Sequence, residues 1–469
     1  MKIGAILIVF IATGIVLGGC ALLSWYLNKR NAGKEESWAI QKTPLLVTIG
    51  TTFATAFGGG MLTYHTGLGY QYGWSVLWYG VCQGGGIFML ILIAKWLRRN
   101  EFKTIPEILT KVYGESNILV AVASLIAMVT PFGWIAGQCV AFGKMFATFT
   151  GIPQPVLTII FAVVVLAFVW PNGYGTVAWS DAIFGFCIAA VCIVCVTTSL
   201  GMAGGWTNVA AAAPELAAFP GSLTAAGASL VAYWFMSVFP GQVTNQMYIQ
   251  RVSASDTIGN VYKALGIACF MVFAGDIFAG FMGRTIFALN PNLEPESAFG
   301  WFLTQIPVVL MLCVVGLVGA SIMSTCDSAV QTATVSVVYD IYQKLINPNA
   351  TQEKLTSLSR IVSAVLLTIS VAIGLKFPSV MGVITTAYSY GVAMLLFPIF
   401  GGYYLRNKQF TTRFGCYCSM FFGALGNILA QKYYHGGIPF VMFGLIASIA
   451  GLLIGSALTR NSFYAKKEA

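Results

Sequence analysis

Residues 45–64 read LLVTIGTTFATAFGGGMLTY, an apolar run long enough to cross a bilayer, which takes roughly 20 residues. Three consecutive glycines, Gly58, Gly59 and Gly60, interrupt this run in its interior. Glycine costs a helix about 1 kcal/mol relative to alanine, and backbone groups freed inside a bilayer must face a cavity or lie buried in protein. The run therefore predicts a membrane-spanning helix with a functional break, although close packing of small residues is an open alternative.

A second apolar run, 225–250, carries the helix-breaking sequence Phe239-Pro240-Gly241-Gln242. Proline costs a helix interior about 3 kcal/mol. This run is the fifth span after the first broken one, so it crosses the membrane in the opposite direction. Interrupted helices at matching positions of two halves are typical of transporters and indicate a solute site near the bilayer midplane.

The composition of the chain indicates an all-α membrane protein. Of its 469 residues, 58% are hydrophobic and only 9% are charged, whereas soluble domains carry about 25% charged residues. No extended hydrophilic segment is present, which argues against a sensor or receptor built on a transporter scaffold. The two histidines have no serine or cysteine nucleophile close in sequence, which argues against an enzyme.

Hydropathy predicts thirteen spans in four parts. Residues 1–44 hold a leading helix and a cytoplasmic loop, and 45–201 hold five spans. Residues 202–405 hold an outside loop followed by five spans, and 406–469 hold two trailing helices and a cytoplasmic tail. A lipoprotein cleavage box at Leu17-Gly18-Gly19-Cys20 is the alternative for the leading helix. The predicted spans are 3–27, 45–64, 74–97, 118–149, 155–170, 175–201, 225–250, 258–289, 302–342, 358–375, 380–405, 414–431 and 438–457.

The basic residues predict the orientation. Cytoplasmic loops of membrane proteins carry an excess of lysine and arginine, and most of the 25 basic residues fall on one side if the N-terminus is outside and the C-terminus inside. The expected location is the cytoplasmic membrane. This placement accounts for the net charge of +10 without a nucleic-acid partner.

Hydroxyl side chains form a stripe on the span 302–342. Ser321, Ser324, Thr325 and Ser328 share one helical face, and their oxygens are hard ligands that suit a small cation such as Na⁺. Hydrogen bonds back to the preceding helical turn are the structural alternative. Acids within spans are functional candidates because they are costly in lipid; they are Asp181, Asp276 and Asp327.

Four short segments together resemble the sodium:solute symporter family: ASIMSTCDS at 320–328, TVAWSD at 176–181, QMYIQR at 246–251, and AGQ at 136–138 with Gly143-Lys144. The resemblance implies a five-plus-five inverted repeat, flanked by one leading and two trailing helices. It also implies Na⁺-coupled symport of a small organic solute by alternating access. A symporter driven by protons stays open as an alternative.

The resemblance further implies a Na⁺ site between the first and eighth core helices, made by the carbonyls of Ala54, Phe57 and Ser321 and the hydroxyls of Ser324 and Thr325. A second Na⁺ site would use Asp181, Asp327 and Ser328. The solute is expected beside the two breaks, at Gly58, Met61, Gln138, Trp234, Phe239 and Gln242.

Two departures leave the solute unnamed. Ala56 stands where the proline-transporting members carry an aspartate, and Met61 stands where the sugar transporters carry a glutamine. The aromatic and neutral character of the expected pocket suits a small organic solute, including a cation held through ring contacts.

Overall fold

The computed structural model describes residues 10–16, single positions between 18 and 29, and residues 41–169, 174–377 and 379–468. The described residues are almost wholly helical and contain no strand, only an isolated bridge between Thr43 and Ser255. Most of the predicted leading span, 3–27, lies outside the described residues. Its helical part at 10–16 packs on the bundle, where the ring of Phe10 stacks on Phe146 at 5.7 Å.

The first half of the bundle contains nine helices within the described ranges. They are α1 Leu45–Ala56, α2 Gly59–Tyr72, α3 Val76–Met89, α4 Ile91–Asn100, α5 Ile105–Tyr113, α6 Asn117–Ala127, α7 Val129–Thr150, α8 Gln154–Val169 and α9 Tyr174–Met202.

The second half begins with two short helices in the segment predicted as a loop, and it includes the two trailing helices. The elements are α10 Trp206–Ala212, α11 Pro214–Ala217, α12 Ala228–Thr244, α13 Gln246–Ala254, α14 Ile258–Leu289, α15 Ala298–Gln305, α16 Val308–Val335, α17 Gln352–Lys376, α18 Val380–Leu405, α19 Arg413–Tyr433 and α20 Phe440–Glu468. A wider π-helical segment, Ser336–Ile346, continues α16.

The predicted break in the first span is confirmed. Helix α1 ends at Ala56, and α2 begins at Gly59 after an extended Gly58, with the two parts bent by 51°. Gly59 and Gly60 are already helical, so the break is narrower than the glycine run. A Cβ at Gly58 would lie 2.2 Å from Thr325 Oγ1, and one at Gly59 would lie 2.3 Å from the carbonyl oxygen of Val318. The glycines therefore allow the break to lie directly against α16.

The predicted position of the second break is wrong. Pro240 lies inside α12, and the helix continues to Thr244 before it breaks at Asn245. There the backbone turns extended, and the Asn245 side chain accepts the Met247 N–H at 3.0 Å, which caps α13. Gly241 lies against the ring of Tyr388, where a Cβ would come within 2.4 Å of a ring carbon. Tight packing keeps the proline-containing turn helical, and a good cap places the break one turn later.

The predicted span 302–342 is also wrong at its start, because it splits at Pro307. Ile306 is extended, as expected for a residue before proline. Pro307 then precedes the first turn of α16, while α15 is a separate short helix. Within the described ranges, seven helices are long and apolar enough to span a membrane, or eight if the bent pair α1–α2 counts as one span. The count of thirteen stays a prediction.

The broken first span lies at the centre of the bundle. Every residue of α1 from Val47 to Ala56 is buried. Close glycine contacts join the span to its neighbours: Gly50 meets Ala182 of α9, Gly60 meets Gln138 of α7, and Gly69 meets the Ala279 carbonyl of α14. The broken span therefore lies against α7 and α9 of the first half and against α14 and α16 of the second.

Candidate cation and solute sites

Thr325 of α16 meets the break in the first span. Its Oγ1 lies 3.4 Å from the Ala54 carbonyl oxygen and 3.0 Å from the Ser321 carbonyl oxygen. The side chain of Ser321 accepts the Gly59 N–H at 2.9 Å, which ties α16 to the first turn of α2. Three of the five predicted Na⁺ ligands thus lie together, and Phe57 lies in the break itself.

Ser324 has a different environment from the other predicted ligands. Its hydroxyl donates to Asp181 Oδ1 at 2.5 Å, so the side chain is directed at α9. The hydroxyl stripe therefore serves two neighbouring clusters, one at Thr325 and one at Asp181. Ser328, one turn further along α16, donates to Asp181 Oδ2 at 2.6 Å and belongs to the second cluster.

Asp181 is paired with an arginine that sequence reasoning did not connect to it. Arg251 Nη2 lies 2.8 Å from Asp181 Oδ2, and both side chains are almost completely buried. Thr51 of α1 donates to the same oxygen at 2.9 Å. Of the predicted second set, Asp181 and Ser328 are brought together. Asp327, the third member of that set, is buried as well.

The sequence contained a weak signal for this pair. Arg251 ends the QMYIQR segment, one of the four segments that resemble the family. Arg251 and Asp181 are 70 residues apart in the chain. Pairing over that distance depends on the second break at Asn245, because α13 must turn toward α1 and α9 for the guanidinium to reach them.

Five of the six predicted solute residues are fully buried: Gly58, Met61, Gln138, Trp234 and Gln242. The Gln138 amide lies against Gly60, where a Cβ would come within 2.2 Å of Oε1. Phe239 is different, because it is half-buried and packs on Gly85 of α3. It lies on the same flank of α12 as the exposed Phe235.

Aromatic residues that we did not predict surround this region. The indole of Trp234 packs edge-on against Tyr79, with ring centroids 5.5 Å apart. Gln242 Oε1 accepts the Tyr388 hydroxyl at 3.2 Å, and that hydroxyl accepts the Trp134 Nε1–H at 3.0 Å. Tyrosine and tryptophan inside apolar runs were the available signal, but the sequence has many such residues and their spacing singles out none of these.

Several buried polar groups in this region have no hydrogen-bond partner among the described residues. They include both amide atoms of Gln138 and Nε1 of Trp234. Buried polar atoms in native proteins are nearly always hydrogen-bonded. These two side chains can therefore bind a polar atom of a solute.

Asp276, whose role the sequence left open, lies beside a histidine. His65 Nδ1 is 2.6 Å from Asp276 Oδ1, and neither side chain is exposed. The imidazole packs edge-on against the rings of Phe57, Tyr64 and Tyr79, with centroids about 5 Å away. The pair joins α2 to α14 next to the break and gives each buried polar side chain a polar neighbour.

Known transporters are similar to this chain in sequence. The human high affinity choline transporter 1 is 24% identical over 76% of this chain and 65% of its own length. The sodium/proline symporter of Haemophilus influenzae is 25% identical over 61% of each chain. The present chain thus spans less than two thirds of the length of these relatives.

Solved structures show the fold. A Na⁺-coupled sialic acid symporter, solved in a substrate-bound outward-open state, superposes with a TM-score of 0.80 over 97% of this chain and 98% of the other, at 17% identity. MhsT in complex with L-phenylalanine gives a TM-score of 0.55 over 89% and 99%, at 16% identity.

The family model named "Sodium:solute symporter family" matches residues 44–421, which is most of the chain. The match includes both broken spans, the hydroxyl stripe and the Asp181–Arg251 pair. The members that resemble this chain are transporters rather than enzymes. This multi-pass membrane protein belongs to the sodium:solute symporter family.

Proposed function

We propose that this protein couples Na⁺ entry to the uptake of a small organic solute across the cytoplasmic membrane. The observation that carries the proposal is the meeting of Thr325 Oγ1 with the carbonyl oxygens of Ala54 and Ser321 at the break. These oxygens belong to α1 and α16, one in each half of the bundle. A cation bound among them would hold the two halves together.

The donor set fits Na⁺. Carbonyl and hydroxyl oxygens are hard, uncharged ligands that suit hard cations, and the break at Phe57 and Gly58 releases carbonyl groups that a continuous helix would occupy. Na⁺ is cargo here, and it would stabilise whichever conformation closes α1 onto α16. A ligand shifts a conformational equilibrium only through its different affinities for the two states, so this contact can link the ion to solute binding.

A second Na⁺ would face a competitor. At Asp181 and Ser328 it would share the carboxylate with the buried guanidinium of Arg251. Asp327 would have to approach that carboxylate as a further ligand. We therefore place the coupling ion at Thr325.

The architecture that we propose keeps the predicted repeat. Five spans within 45–201 and five within 202–405 would form the inverted halves, with one leading span in 1–44 and two trailing spans in 406–469, thirteen in total. The N-terminus would be outside and the C-terminus inside. The two breaks, at Gly58 and Asn245, support this pairing because each lies in the first span of its half.

The solute would bind between the breaks. Gln138 and Trp234 offer polar atoms without hydrogen-bond partners in the described part of the chain, and Met61, Tyr79 and Tyr388 supply apolar and aromatic surface. This lining suits a small molecule with an apolar body and a few hydrogen-bonding atoms. Phe239, which packs on α3, would act only as support.

Uptake into proteoliposomes tests the proposal. Radiolabelled proline, choline and sialic acid serve as the first panel, each measured with an inward Na⁺ gradient, with an inward proton gradient and with neither. We expect at least one solute to accumulate only with the Na⁺ gradient. Accumulation driven by the proton gradient alone would contradict Na⁺ coupling. Saturable solute binding without accumulation under any gradient would indicate a receptor instead.

A further inference from the structure

A compact polar cluster lies where α2 ends, on the outer side in the proposed orientation. Lys144 of α7 forms ion pairs with Glu296 at 2.5 Å and with Glu294 at 3.1 Å. Glu296 follows α14 in a short helical turn, Pro295–Ser297. The side chains of Lys144 and Glu296 are only 12% and 11% exposed, whereas that of Glu294 is 53% exposed.

The Glu296 carboxylate also binds the start of α18. Its Oε1 accepts the Ser379 hydroxyl at 3.0 Å, and its Oε2 accepts the Val380 N–H at 3.3 Å. A carboxylate at a helix N-terminus is stabilised by the unpaired N–H groups there. One side chain therefore joins α7, the segment after α14, and α18.

The same segment lies directly on α2. A Cβ at Gly67 would come within 2.8 Å of the Pro295 carbonyl oxygen. The cluster borders a cavity of about 430 Å³ whose wall also includes Tyr64, Leu68 and Gln71. Two helices lead from this cavity to the proposed solute site, because Gln138 lies six residues below Lys144 on α7, or about 9 Å along the axis, and contacts Gly60 of α2.

We propose that Lys144, Glu296 and the N-terminus of α18 form an outer latch, which must open before a solute can pass from this cavity to Gln138. The latch rests on the proposed transport function. Opening would separate Ser379 and Val380 from Glu296 and break the Lys144 ion pair, so that the 430 Å³ cavity becomes continuous with the space between the breaks.

The accessibility of a cysteine beyond the latch tests it without any solute. Met61 is buried in the proposed solute site, so Met61→Cys in the full-length protein reports on opening. Its labelling by neutral N-ethylmaleimide is followed in detergent, against the protein without that substitution. Glu296→Gln removes the negative charge of the ion pair and keeps the shape of the side chain. Lys144→Met removes the positive charge of the same pair. Glu294→Gln is the matched control, since an exposed pair contributes little.

We expect Glu296→Gln and Lys144→Met each to speed labelling of the Met61→Cys protein by about tenfold, a change equivalent to ~1.4 kcal/mol. Glu294→Gln should leave the rate nearly unchanged. The native Cys416, buried in α19, must stay unreactive, which separates opening from unfolding. If Glu296→Gln unfolds the protein and so makes Cys416 reactive, the labelling rate of the Lys144→Met protein tests the latch instead.

Equal labelling rates in the parent, Glu296→Gln and Lys144→Met proteins would overturn the latch, and so would an equal increase with Glu294→Gln. Because labelling requires no transport, a negative result here would leave the proposed symport standing. Conversely, a protein that transports none of the tested solutes can still show a working latch.

Discussion

Ser324 and Thr325 are neighbours in one hydroxyl stripe, yet their oxygens meet different partners. Thr325 Oγ1 approaches the carbonyls of Ala54 and Ser321, while Ser324 donates to Asp181. Helical spacing predicts which residues share a face, but successive residues on that face are rotated about the axis. The stripe could therefore be predicted from the sequence, whereas its division between a cation site and a carboxylate cluster depends on the positions of α1 and α9.

The Asp181–Arg251 pair gives a prediction at the scale of one residue. Arg251→Met leaves the buried Asp181 carboxylate without its counter-charge, which should reduce the free energy of unfolding by about 3–5 kcal/mol. Thermal unfolding in detergent measures the loss. Adding Asp181→Asn to Arg251→Met should recover part of it. Lys42→Met is the control, because Lys42 and Glu101 form an exposed ion pair. Loss of that pair should change the free energy of unfolding little.

An Arg251→Met protein as stable as the control would show that the buried pair is not required for the fold. A double variant less stable than Arg251→Met alone would contradict the argument from an uncompensated carboxylate.

The two broken spans show what sequence predicts for an element and what it does not. Three consecutive glycines predicted the first break to within two residues. Pro240 and Gly241 predicted the second break one turn too early, because a proline removes one hydrogen bond, whereas the packing of Gly241 on Tyr388 and the Asn245 cap decide where the chain turns. The split at Pro307 was missed because the apolar run continues through it.

The first break gives a prediction for glycine substitutions. Gly58→Ala would place a Cβ 2.2 Å from Thr325 Oγ1, so the broken span and α16 must separate. We expect a loss of about 1–3 kcal/mol in the free energy of unfolding together with loss of stabilisation by Na⁺. Melting temperatures measured across a Na⁺ series test both effects.

The control for Gly58→Ala is Gly266→Ala in α14, where nothing lies within 4 Å of the added Cβ. That variant should match or slightly exceed the parent in stability and keep its response to Na⁺. If Gly58→Ala keeps the full Na⁺ response, then contact between the break and Thr325 is unnecessary for ion binding.

On the scale of the whole molecule, polar clusters close the bundle at both ends. At one end, Lys144 and Glu296 join α7 to α18. At the other, Lys344 beyond α16 binds Glu107 of α5 and the buried Asp340, at 3.0 and 2.9 Å. Under the proposed alternating access, these clusters would open one at a time. Sequence predicted the membrane and the family, but ion pairs between distant helices could not be seen before the helices were packed.

The central claim is that Na⁺ binds where Thr325 of α16 meets the broken first span. Saturable binding of radioactive Na⁺ to the purified protein, without any solute, tests this claim most directly. We expect Thr325→Ala to weaken Na⁺ binding about tenfold or more, the loss of ~1.4 kcal/mol for one missing oxygen ligand. Thr334 lies elsewhere on α16, and its hydroxyl bonds to Ser363 of α17. The Thr334→Ala protein should bind Na⁺ like the parent. Equal Na⁺ affinity in the parent and Thr325→Ala proteins, or no saturable binding by the parent, would contradict the account.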